Sequence, residues 1–86
     1  MDRRKLVMIM YENEKVIRFT DTDDIKEFVS AAGKCNFDID VFYNRAVIDA
    51  KSILGMLGVG LMNDMTICYG GENENFENVI DKFATA

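Results

Sequence analysis

FDIDVFYNRAVIDAKSILGMLGVGL, Phe37 to Leu61, is the stretch that decides the fold. Its first seven residues alternate. Phe37, Ile39, Val41 and Tyr43 fall on one face and Asp38 and Asp40 on the other, the pattern of a strand with one wet face. Asn44-Arg45 fits a tight turn, and Ala46–Asp49 returns as a second strand, which makes a hairpin. Ser52 then stands where the cap of a short helix belongs. That helix runs from Ile53 to about Leu57, and the Gly58-Val59-Gly60 stretch ends it.

The flanks fit around this centre. Thr20–Asp24 (TDTDD) is dense in capping residues and acids, and it precedes Ile25, Phe28, Val29 and Ala32 at i, i+3, i+4 and i+7. That spacing predicts an amphipathic helix with acids at its positive end and Gly33 as its stop. Met65–Tyr69 (MTICY) reads as a strand turned by Gly70-Gly71. Asn75–Phe83 reads as a closing helix with Phe76, Val79, Ile80 and Phe83 inward. At the other end, Lys5–Met10 (KLVMIM) is a continuous apolar run, short enough for a buried central strand. Glu12–Glu14 breaks it, and Val16–Phe19 is a short extended piece or a loop. The order β-α-β-β-α-β-α predicts an α+β open-faced sandwich, a four-stranded antiparallel sheet with helices on one face.

Composition narrows the function. The 86 residues suit a single domain, 1–86, with a thin core. A net charge of −5 and a pI near 4.5 argue against nucleic acid, where a basic face supplies most of the affinity. No apolar run approaches the ~20 residues of a membrane span. The start, MDRRKLVMIMYENEK, has no small-residue cleavage site and reads as a first strand, so a cytoplasmic protein is expected. Cys35 and Cys68 are too far apart for a CxxC site and read as reduced, buried thiols. The chain contains no histidine. A metal site is rejected on that ground, no cofactor is expected, and every imidazole-dependent catalytic scheme falls away. The three glycines of the central stretch follow neither the GxGxxG nor the P-loop pattern. No enzyme is expected.

AKSILGMLGVGL (Ala50–Leu61) resembles the HPr phosphocarrier family, which carries a Lys-Ser-Ile-Met-Gly segment at this point. GKCNFDIDVFYNRAVIDAKS is similar to the family's approach to that serine, less one turn residue. MTICYGGENENFENVIDKF looks like the family's last strand, Gly turn and final helix, and the loop Leu61–Asp64 is about two residues short. The likeness covers roughly Ile25 to Phe83. It implies an HPr-like fold and a place in the sugar phosphotransferase system, where enzyme I phosphorylates a histidine just ahead of the first helix. Counted back without gaps, that histidine's place falls on Asp21, its motif's Arg on Asp23 and its Pro on Asp24. Sliding the alignment can bring Arg18 to the Arg, but no histidine follows. The resemblance therefore implies a member that cannot carry phosphohistidine.

In the family, the serine matching Ser52 is a regulatory phosphorylation site in many Gram-positive bacteria. The apolar residues after it dock partner proteins. Carried over, these roles fall on Ser52, and on Lys51, Ile53, Leu54 and Leu57 as partner-binding residues for proteins of the phosphotransferase or carbon-control network. Beside this stands a plainer reading. Ser52 is only a helix cap, TDTDD only caps the first helix, and the apolar run is core packing or the seam of a homodimer, in an interaction module with no phosphotransferase role.

Overall fold

A computed structural model describes residues 11–85. The elements are β1 (Asn13–Ile17), α1 (Thr22–Gly33), β2 (Ile39–Tyr43), β3 (Ala46–Asp49), α2 (Ile53–Val59), β4 (Met65–Tyr69) and α3 (Glu74–Asp81), in the expected β-α-β-β-α-β-α order. The four strands form one sheet in the order β1-β4-β2-β3, every pair antiparallel.

Register decides which side chains meet the helices. Ile17 pairs with Met65, Val41 with Ile67, and Ile39 with Tyr69. These residues share one face of the sheet and form a single buried cluster with Ile25, Phe28, Met56, Phe76, Val79 and Ile80 from the three helices. The other face carries Glu14, Val16, Asp40, Phe42, Val47, Thr66 and Cys68. Alternation over Phe37–Tyr43 predicts that this face is wet, and there the structure differs. Phe42 and Cys68 are buried on it, so alternation assigns the face but not its exposure. Tyr11 donates its hydroxyl to Asp40 on the same face, and that bond together with burial raises the phenol to about 12.

The first strand among the described residues also differs from the pattern. Lys5–Met10 lies outside the described residues. Glu12–Glu14, read as a break, runs into β1, and only Val16 and Ile17 of the expected extended piece belong to it. Pairing with β4 overrides the poor strand propensity of this segment. Lys15 takes an inward position but extends to α3, where its ammonium meets Glu77 at 2.9 Å and Asp81 at 3.2 Å. The Tyr69 hydroxyl donates to the other Glu77 oxygen at 2.7 Å. This network joins β1, β4 and α3.

Capping follows the sequence closely. Asp21 accepts from the Asp23 N–H at 2.8 Å, Ser52 from Gly55 at 3.2 Å and Asn73 from Phe76 at 2.9 Å. Each satisfies one orphan amide of the helix it starts. α1 ends at Gly33, but its cap is Lys34 in right-handed geometry. α2 continues to Val59 and stops at Gly60, whose φ of 85° and ψ of −174° are open essentially to glycine alone. α3 stops at Asp81, short of Phe83, which still points inward. The Asn44-Arg45 turn is tight, with Asn44 at φ 54°.

Two glycines predict opposite outcomes. A Cβ on Gly71 would lie 2.1 Å from the Phe37 ring, which stacks on Tyr69. Gly58 lies within α2 with open space around it. Gly71→Ala should therefore cost about 1–3 kcal/mol by overpacking, and Gly58→Ala should add about 0.5–1 kcal/mol through helix propensity. Urea unfolding of both variants measures the two signs.

The Cys68 thiol predicts a pH dependence. Burial, and then the Glu14 and Asp40 carboxylates, raise it from 9.0 to about 11. The unfolded chain loses this proton first, so between 9.0 and about 11 the native state binds more protons and stability falls as pH rises. Cys68→Ala should flatten that slope in urea melts between these pH values. An unchanged slope would assign it to other groups.

Candidate functional site

The site begins at the end of the hairpin. The Ala50 N–H donates to the Ile39 carbonyl at 3.0 Å and the Ser52 N–H to the Asp49 carbonyl at 3.0 Å. The Asp49 side chain accepts the Lys51 N–H at 2.9 Å. This tight connection turns β3 into α2 and presents Ser52 at the surface. Gly55 makes the helix fit there. A Cβ on Gly55 would lie 2.9 Å from the Ile48 methyl and 3.2 Å from the Ser52 oxygen. So the glycine after Ser52-Ile53-Leu54 serves close packing.

α2 buries one residue fully, Met56. Ile53, Leu54 and Leu57 are exposed, Leu54 to 81%. A seven-residue helix over the sheet edge cannot turn them all inward. Leu61 and Met62, just past the helix, extend the apolar surface. Met62 belongs to the patch and escaped the sequence reading. The signal was there, an apolar pair between Gly60 and the polar Asn63-Asp64 with no strand or helix period to absorb it.

Lys51, expected to contact a partner, is engaged within the chain. Its ammonium donates to the Cys35 carbonyl at 3.1 Å and ties α2 to the end of α1. The Cys35 thiol nearby is raised by burial, with the Lys51 charge acting the other way. Both cysteines are free and buried.

The acid-rich turn lies beside this patch. The Met62 N–H donates to the Phe19 carbonyl at 2.8 Å, and Arg18 meets Asp64 at 2.7 Å. The Asn63 amide donates to the Val59 carbonyl at 2.8 Å and covers the end of α2. The loop after α2 is thus held against the segment leading into α1. Asp21 is spent as the cap of α1, and Asp23 and Asp24 occupy its first turn. The structure therefore joins Asp21 and the apolar patch into one surface, with Ser52 at the far end of α2. Among the described residues, no three Cys, Asp or Glu side chains group as metal ligands.

The fold has a solved counterpart. The chain has an HPr-like fold. It superposes on the crystal structure of a phosphocarrier protein HPr from Bacillus anthracis with a TM-score of 0.66 at 20% identity, covering 83% of this chain and 95% of that one. No protein-family model matches the chain, and no curated protein matches it. At that identity the likeness carries the fold. Among the described residues, no helix is long and apolar enough to cross a membrane.

Burial predicts how the patch separates from the core. Leu54→Asp should change stability by less than about 0.5 kcal/mol, since its side chain faces water. Met56→Ala, two residues on, should cost about 2–5 kcal/mol. Denaturant melts of the pair test whether the face is free of structural duty.

Proposed function

We propose that this chain is a regulatory, protein-binding homologue of the HPr phosphocarriers that passes no phosphate through histidine. The observation that carries the reading is the α2 surface. Ile53, Leu54 and Leu57 stand exposed directly after an exposed Ser52, on a fold shared with a phosphocarrier. Contiguous exposed apolar side chains on a small protein mark an interface. The partners are proteins of the phosphotransferase or carbon-control network, and the protein works in the cytoplasm.

The relay is lost for a chemical reason. Phosphocarrier transfer needs an imidazole, and the chain has none. Asp21 at that place already uses an oxygen on the Asp23 amide, and Asp23 and Asp24 beside it repel an incoming phosphoryl group. The protein catalyses no reaction of its own.

The regulatory branch is retained. Ser52 is accessible to a kinase, and its oxygen's one hydrogen bond, to the Gly55 amide, is of the kind a phosphate oxygen can also accept. Incubation with ATP and a Gram-positive HPr kinase should add one phosphate by intact mass, and Ser52→Ala should remain unmodified. Enzyme I with phosphoenolpyruvate should leave the protein unlabelled. Labelling by enzyme I would overturn the loss of the relay. No phosphate from the kinase would reduce Ser52 to a cap and favour the plain interaction module.

A further inference from the structure

The α2 surface is apolar at its centre and acidic along one rim. Leu54, Leu57 and Met62 are exposed in the centre. The bond from the Met62 N–H to the Phe19 carbonyl sets this loop two residues from Asp21. Asp21, Asp23 and Asp24 then line the start of α1, with Asp21 and Asp23 exposed. Asp64, two residues past Met62, joins the same rim. The cations within it are engaged, Arg18 with Asp64 at 2.7 Å and Lys26 with Asp23 at 3.8 Å. Four carboxylates thus stand against two cations. At the opposite end, the Lys51 ammonium is held on the Cys35 carbonyl.

We infer that this face takes a protein partner whose docking segment presents apolar side chains ringed by lysine and arginine. The inference rests on the docking reading above and adds the chemistry of the partner. Charge complementarity selects it. An acidic segment would place like charges along the Asp21–Asp24 turn as its apolar residues met Leu54 and Leu57, and such juxtaposition is penalised more strongly as water leaves the interface. A second copy fits poorly for the same reason, since each chain carries a net charge of −5. A cationic ring gains from every rim carboxylate, and the apolar centre supplies the burial.

The test is a titration of the ¹⁵N-labelled full chain, followed by amide shifts at about 0.15 M salt, where long-range fields are screened. Two synthetic amphipathic helical peptides are used. They share one leucine face and carry either lysine and arginine or glutamate on its flanks. The cationic peptide should bind about tenfold tighter and shift the amides of Leu54, Leu57, Met62 and Asp21–Asp24. In the triple variant Asp21→Asn, Asp23→Asn, Asp24→Asn, which keeps a capping side chain at 21, the preference should fall to about twofold. Leu54→Asp should remove binding of both peptides. Equal affinity for the two peptides, or a preference for the acidic one at this face, would overturn the cationic partner and leave the docking reading standing. If neither peptide shifted the face, both would fall. Self-association displacing the cationic peptide would replace the partner by a second copy. A cationic preference that survives the triple variant would place the attraction elsewhere and also sink the inference.

Discussion

Six aromatic rings in contact hold this domain together. Phe37 stacks on Tyr69 at 6.0 Å between centroids, and Tyr69 meets Phe76 edge-on at 5.2 Å. Phe76 reaches Phe28 at 5.8 Å, Phe28 reaches Phe19 at 5.3 Å, and Phe19 meets Phe83 at 5.1 Å. The rings come from the approach to β2, from β4, α3, α1, the loop before α1 and the C-terminal segment. A short chain has little apolar surface to bury, so large side chains spanning several elements carry much of its core. Phe19 matters most for the site. Its ring anchors the loop from inside while its carbonyl accepts the Met62 N–H from outside. Placement of the acidic turn beside the α2 patch therefore depends on core packing.

The centre and C-terminal half of this fold were legible because each element there announces itself in more than one way. β4 is bounded as its residues suggest, Met65–Tyr69, and the cap of α2 is the predicted Ser52. α1 shows its period and its acids together. The strand at Asn13–Ile17 was hidden for a physical reason. β1 is an edge strand whose inward Lys15 is satisfied by carboxylates on α3, a partnership sixty residues away that no local pattern reveals. The burial of Phe42 and Cys68 was hidden for a related reason. Alternation says which residues share a face, and what covers that face depends on tertiary structure.

The site divides the same way. Exposure of Ile53, Leu54 and Leu57 could be reasoned from helix length, since seven residues present one side to a core. The engagement of Lys51 with Cys35 could not, because a lysine beside a regulatory-looking serine carries no sign of where its ammonium ends. Nor could the union of the acidic turn with the patch, which depends on hydrogen bonds between segments more than forty residues apart, Phe19 with Met62 and Arg18 with Asp64.

These attachments constrain how any switch at Ser52 could act. A charge change alters conformation only where an element has two arrangements of similar energy. α2 has little freedom of that kind. Gly55 seats it against Ile48 with no room for a Cβ, Met56 pins it to the core, Lys51 ties its start to the end of α1, Asn63 covers its last carbonyl, and Met62 ties the loop after it to Phe19. A phosphate at Ser52 would meet a face already held in place. Its effect would be read as potential at the surface, felt by whatever docks there and screened by salt, with little movement transmitted through the core. On such a scaffold, a charge added at Ser52 would act through the surface alone, and the packing of α2 against Ile48 and the core would stay as it is.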